Sequence, residues 1–256
     1  MRKMLAFARR NLYEILRDPI SYVFCLAFPL VMLGLMTLIN KSIPPEANMT
    51  LFRIDRLAGG IAVFGQSFLM LFTVLAVSKD RAGSFLVRLY ATPMAASDFT
   101  AGYLLPVLLL SAAQTLLLSA AALLVSLVSG PTLSVGGLFL MTVTLIPSGA
   151  LFAGLGLLFG TLFSEKAAPA LSSIIISLSA ILGGIWFDPD SAGGVLLKIC
   201  KALPFRYAVQ SARAALVLDL GWEAWGFPLT VVIGSAVLVT LAASLVFRTR
   251  MRADLN

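Results

Sequence analysis

LAGGIAVFGQSFLMLFTVLAV, residues 57–77, contains no Asp, Glu, Lys, Arg or His. At 1.5 Å of rise per residue it makes a helix of about 30 Å, the thickness of the hydrocarbon layer of a bilayer. A charge at the centre of such a segment costs about 2.5–3.5 kcal/mol on insertion, while each Leu, Ile or Phe returns only a few tenths. The complete absence of charge therefore identifies a membrane span. Five more windows read the same way, at 20–39, 102–128, 133–163, 167–187 and 227–247, and none holds a charged residue. The expected fold is an all-α membrane protein with six transmembrane helices, the fourth kinked at Pro147.

Composition points to the same solvent. Of 256 residues 59% are hydrophobic and 12% charged, whereas about a quarter of a soluble domain is charged. The net charge of +7 comes without any run of five basic residues, and the basic residues stand at the edges of apolar windows. That placement is a topology signal, and no nucleic-acid partner is expected. With six spans both termini share a side. That side carries Arg2, Lys3, Arg9, Arg10, Arg17, Lys79, Arg81, Arg88, Lys166, Arg248, Arg250 and Arg252, against seven basic residues opposite. Both termini are therefore expected in the cytoplasm, in a multi-pass protein of the cell (inner) membrane. Cys25 and Cys200 offer neither a disulfide framework nor a metal spacing. Because Arg9, Arg10, Glu14, Arg17 and Asp18 intervene before the first apolar run, the N-terminus does not suit a cleavable signal peptide.

Four stretches lie outside the spans. In 1–18, Met4, Leu5, Ala8, Leu12, Ile15 and Leu16 recur at helical spacing opposite the arginines, which predicts an amphipathic helix in the membrane interface, its basic side toward anionic headgroups or a cytoplasmic partner. Residues 78–101 are longer than a bare turn and include a short helical segment with Phe85, Leu86, Leu89 and Tyr90 on one side, ended by Thr92-Pro93. Residues 188–225 are too apolar for a free loop yet broken by Gly193, Gly194, Pro204 and charges, so one or two re-entrant helices are expected on the outer face. Residues 41–56 read as a polar outer loop.

Missing chemistry narrows the function. The chain has no His, no Gly-x-Ser-x-Gly elbow and no Gly-x4-Gly-Lys-Ser/Thr phosphate loop, so neither hydrolytic chemistry nor nucleotide turnover has its groups here. Inside the windows the polar inventory is Gln66, Gln114 and hydroxyls such as Thr73, Ser111, Ser172 and Ser177. Proton coupling has no relay in that set, although sodium coordination by backbone and hydroxyls stays open. Gly156 and Gly160 form a Gly-x3-Gly pair suited to close helix approach.

Arg17-Asp18-Pro19 with Phe28-Pro29 resembles the start of the first span in type-2 permeases of ATP-binding-cassette exporters. The run Lys79-Asp80-Arg81-Ala82-Gly83-Ser84, continuing through Arg88-Leu89 and Thr92-Pro93 to Gly102, resembles that family's cytoplasmic signature, with Asp80 and Ser84 where the family often has Glu and Thr. Leu203-Pro204, Tyr207-Ala208 and Arg213 resemble its segment ahead of the last span. The resemblance implies a permease that pairs with a second copy and with two separately encoded ATP-binding subunits, which would hold the ATP and Mg, leaving this chain without a cofactor. It assigns contact with the ATPase to Asp80, Arg81, Gly83, Phe85, Leu86, Arg88, Leu89 and Tyr90 and to the interfacial helix with Arg2, Lys3, Arg9, Arg10 and Arg17. It places Phe64, Gln66, Phe68, Ser172 and Ile176 on the substrate path. A path of Phe, Met, Leu and hydroxyls without fixed charge suits a hydrophobic or amphiphilic cargo, drug-, antibiotic- or lipid-like. A polysaccharide exporter is the alternative, and would call for more aromatic stacking surface.

Overall fold

The computed structural model describes residues 2–44, 50–83, 85–86, 94–129 and 132–253, with side chains as far as 250. Among these residues the regular structure is entirely helical. Helix α1 (Arg2–Arg17) leads to α2 (Pro19–Tyr22), whose first turn is fixed by Asp18: its carboxylate accepts from the Ile20 N–H at 3.1 Å and the Ser21 hydroxyl at 3.0 Å. A π-helical turn over Val23–Ala27 joins α2 to α3 (Phe28–Ser42). Pro29 is the cause. It lacks an N–H, and its ring would strike the Cys25 carbonyl four residues back in an unbroken α-helix, so the wider turn moves that carbonyl aside.

The chain continues through α4 (Ile54–Ala82), α5 (Ala96–Ser129), α6 (Val135–Thr144), α7 (Ile146–Leu162), α8 (Ala168–Leu182), α9 (Pro189–Ala192), α10 (Gly194–Ala202) and α11 (Pro204–Leu216). A second π turn, Trp222–Gly226, precedes Phe227-Pro228 and opens α12 (Phe227–Ala253), repeating the arrangement of Phe28-Pro29. The kink expected at Pro147 is a break at Leu145, and Gln66 in mid-α4 donates to the Leu145 carbonyl at 3.1 Å and to Ser111 Oγ at 2.8 Å. That carbonyl also accepts the Gly149 N–H at 3.0 Å, so Gln66 brings a second donor to the break.

Five helical stretches are long and apolar enough to cross a membrane: Pro19–Ser42, Ile54–Ala82, Ala96–Val128, Val135–Leu162 and Trp222–Arg250. The window at 167–187 differs from expectation. It yields α8, only 15 residues and about 22 Å, because Gly183 ends the helix and Gly184, at φ +69°, turns the chain toward Trp186. The region 188–225 folds as α9, α10 and α11, three short helices rather than one or two.

Helix α4 is the centre of the bundle, with 83% of its apolar window buried against 22% for the first span and 17% for the last. Its closest neighbour is α7. A Cβ on Gly156 would lie 2.6 Å from Thr73 Cβ, and one on Gly160 2.7 Å from Val77 Cβ, so the two glycines admit an approach that no larger residue allows. Phe7 of α1, Phe99 and Tyr103 of α5 and Phe247 of α12 form one aromatic cluster, which puts both ends of the chain at the same end of the bundle.

Helix α1 has three faces, not two. Phe7, Ala8, Asn11 and Ile15 are buried, packed on α5 and the end of α4. Leu5 and Leu16, expected on the same apolar face, are instead exposed at 52% and 36%. Arg2, Lys3, Arg9 and Arg17 occupy the remaining, exposed side. Residues on a helix advance 100° each, so the protein-facing set and the Leu5–Leu16 edge are adjacent sectors.

Candidate functional site

Two places gather the residues singled out by sequence. The first is the end of the bundle that holds the termini. Asp80, 4% exposed at the end of α4, receives both terminal nitrogens of Arg10, at 2.5 and 2.8 Å, and the Tyr103 hydroxyl at 2.8 Å. Arg10 also meets Glu14 at 2.8 Å, Glu14 meets Lys79 at 3.3 Å, and the guanidinium lies 4.3 Å over the Phe85 ring. Burial by itself would lower the Arg10 pKa, but the hydrogen bond and charge of Asp80, helped by Glu14, outweigh it and the net shift is upward. Asn11 donates to the Gly102 carbonyl at 3.0 Å. Through these contacts α1 is fastened to α4 and α5 at once.

Arg81 faces the other way. Its Nη1 donates to the Thr161 carbonyl at 2.5 Å and the Gly160 carbonyl at 3.2 Å, at the C-terminus of α7. A cation there satisfies carbonyls that have no helical partner and complements the helix dipole. Asp80 and Arg81 thus tie three helices to the last turn of α4. Gly83 closes that helix, its N–H on the Lys79 carbonyl at 2.9 Å. Leu86 is 1% exposed within the Phe7–Phe99–Phe247 cluster, so it packs against its own chain rather than standing free for a partner. Arg88, Leu89 and Tyr90 lie outside the described residues. Of the basic residues of α1, Arg2, Lys3, Arg9 and Arg17 are exposed, while Arg10 is engaged.

The second place is a groove of about 580 Å³ between the first span, α4 and α8. Phe64, Phe68 and Ile176 line it as the sequence suggested. Gln66 and Ser172 do not: Gln66 turns into the α4–α5–α7 interface, and Ser172, fully buried, donates to the Ala168 carbonyl of its own helix at 2.8 Å. Phe24, Phe28 and Trp186 line it without having been singled out. Phe68 sits at the centre, its ring 5.6 Å from Phe24, 5.5 Å from Phe28 and 5.2 Å from Phe64, and Phe64 lies 5.4 Å from Trp186. Most of these pairs meet edge to face, the arrangement the ring quadrupole favours. The spacing of Phe24 and Phe28 by four was the available sign, masked because span 1 is apolar all round. Among the described residues no charged side chain lines the groove. Ser173 and Ser177 donate into their own helix, at 3.0 and 2.9 Å, and offer only acceptor oxygens to an occupant.

At the far end of the bundle, Arg213 of α11 donates to the Arg56 carbonyl at 2.9 Å and the Gly184 carbonyl at 3.0 Å, holding α11 against the start of α4 and the turn after α8. Burial, then the charge of Arg56, pulls this guanidinium down to about 10. Among the described residues no three Asp, Glu, His or Cys side chains are grouped to hold a metal ion.

Compared with known proteins, residues 2–217 match the sequence profile of the ABC-2 type transporter family. The match takes in α1, the helices from α2 through α11, and both places described above. No curated protein matches the chain.

Proposed function

The chain belongs to the ABC-2 type transporter family, and from that premise we propose that it is the permease of an ATP-driven exporter, moving a hydrophobic or amphiphilic compound out of the cytoplasm. Permeases of this family are transmembrane components without ATPase activity of their own and work with an ATP-binding subunit. In the proposed assembly two such subunits carry the ATP and Mg, and a second copy of this chain completes the path. Six crossings fit best: both termini lie at one end, five helices are long enough to cross, and α8 starts beside the α7 end held by Arg81 and finishes beside the Gly184 turn held by Arg213. The excess of basic residues in the segments assigned by sequence to the termini side supports a cytoplasmic location for that end in a cell-membrane protein, with α9 to α11 as the proposed outer re-entrant region.

The observation that carries the cargo reading is the groove: several phenylalanine rings and a tryptophan, two hydroxyls and no fixed charge. Apolar surface of that kind takes up an apolar body and gives no partner to a multiply charged one. The same rings favour the second reading, a glycan exporter, since sugars stack on aromatic faces. Against it stands the lack of carboxylates or free amides to bind hydroxyl groups. Sodium coupling loses its support with the family match.

ATP binding draws the two ATPases together, and α1, latched to α4 through Arg10 and Asp80, is the element placed to carry that movement into the bundle. The test is reconstitution of the permease with the ATPase that copurifies from its own host. ATP-dependent accumulation of lipophilic fluorescent compounds in inside-out vesicles is the expected result. Accumulation of oligosaccharides alone, or uptake driven by a sodium gradient without ATP, would refute the reading.

A further inference from the structure

Beyond Phe68 and Leu71, which line the groove, α4 borders a further open space. Phe64, Phe68, Phe72 and Ala76 are spaced by four along one face of α4, and the last two form the floor of a second cavity, about 400 Å³, toward the cytoplasmic end. Its walls are the α1–α2 elbow with Glu14, Arg17, Asp18 and Ser21, the last of which is three residues ahead of Phe24 of the groove, the end of α4 with Lys79, and Glu165, ahead of α8. From Phe64 to Ala76 the helix rises about 18 Å, the extended length of a long alkyl chain.

The floor is apolar and the rim is charged, but most of the rim's charge is already committed. Glu14 is paired with Arg10 and Lys79, and Asp18 holds the first turn of α2. Arg17 and Glu165 are exposed, and neither has an ion-pair partner among the described residues. They stand on different walls of one mouth, one of each sign.

We propose that this vestibule is a head-group site on the export path and selects an amphiphile whose head carries both a positive and a negative group, the cation toward Glu165 and the anion toward Arg17, with the alkyl body in the phenylalanine groove. The inference rests on the exporter reading of the groove. A purely cationic head satisfies Glu165 and is repelled by Arg17, an anionic head the reverse, and a neutral head leaves both charges to water; only a zwitterion gains from both.

The test uses the purified full-length permease in vesicles of anionic phosphatidylglycerol. Quenching of Trp186 is read with alkyl chains brominated near the tail end and carrying phosphocholine, trimethylammonium, phosphate or oligoglycol heads, and Trp186→Phe protein supplies the blank. The phosphocholine probe is expected to half-quench at a concentration at least fivefold below the other three. Glu165→Gln should shift the preference toward the phosphate probe and Arg17→Gln toward the trimethylammonium probe. Repetition in phosphatidylcholine vesicles assigns the source: if the advantage disappears there, bilayer lipid itself fills the vestibule, and if it persists, the ligand is a separate cargo. Equal half-quenching by all four heads, or a ranking unmoved by either Gln variant, overturns head-group selection and leaves the exporter standing. Absence of quenching by every probe overturns this inference together with the groove assignment beneath it.

Discussion

Replacing Asp80 by Asn should loosen α1 from the bundle. The carboxylate takes two hydrogen bonds from Arg10 and one from Tyr103, and is 4% exposed, so the change leaves a guanidinium without its counter-charge. Breaking a fully buried pair on one side costs about 3–5 kcal/mol. Because the Arg10 side chain is 35% exposed, water and Glu14 take up part of the loss, which brings the figure to about 2 kcal/mol. That is a factor of about 30 in the ratio of docked to undocked α1. Hydrogen exchange of the α1 backbone amides in the purified permease measures it directly. Exchange about 30-fold faster is expected in Asp80→Asn and in Arg10→Gln, and the double variant should be no worse than either, since the two share one interaction. Arg9→Gln, on the exposed side of the helix, serves as control. If Asp80→Asn exchanges within twofold of the parent, or the double variant shows two independent losses, the latch is not what holds α1.

Other expectations follow from packing. Gly160→Ala places a methyl 2.7 Å from Val77 Cβ and 2.9 Å from the Val74 carbonyl, and should lower the thermal midpoint in micelles by an amount corresponding to about 1–3 kcal/mol, while Gly136→Ala, with open space around it, should leave the midpoint unchanged. Leu86→Asp buries a carboxylate among Phe7, Phe99 and Phe247, so the variant should be lost from the membrane fraction; normal yield with ATP hydrolysis uncoupled from transport would contradict that placement. Phe68→Ala removes three ring contacts from the groove and should raise the half-saturating concentration of an apolar cargo about fivefold, at about 1 kcal/mol of aromatic contact, with unchanged ATP hydrolysis in the absence of cargo.

The spans were legible because hydrocarbon imposes one strong condition, the exclusion of charge, that acts on each window separately. Tertiary pairing obeys no such local condition. Asp80 and Arg81 stood out in sequence as charges beside a span, and a charge at a helix end looks the same whether it points at a partner protein or, as here, at Arg10 and at the α7 carbonyls. Asn11 interrupts the apolar stripe of α1, and that interruption was the one available sign that the stripe meets protein rather than lipid. Gln66 was placed on the path by resemblance to the family; its amide nitrogen donates instead to Ser111 and to the carbonyl at the Leu145 break, which only the packing of α4 against α5 and α7 brings within reach. Phe24 and Phe28 gave no contrast against a span that is apolar on every side, so their share in the groove emerged with the fold.

The wide turn at Val23–Ala27 holds one residue more than an α-helical turn would. If that residue were taken up, everything before it, Tyr22 and α1 included, would swing by about 100° around the axis of the span and slide by about 1.5 Å relative to everything after it. Pro29 sets the cost of that change at about 3 kcal/mol. The span thus falls into two segments, with Phe24 within the turn that joins them and Phe28 at the start of the second. A quarter-turn at the elbow would part the two rings and change the cross-section of the groove while the rest of the helix stays in place.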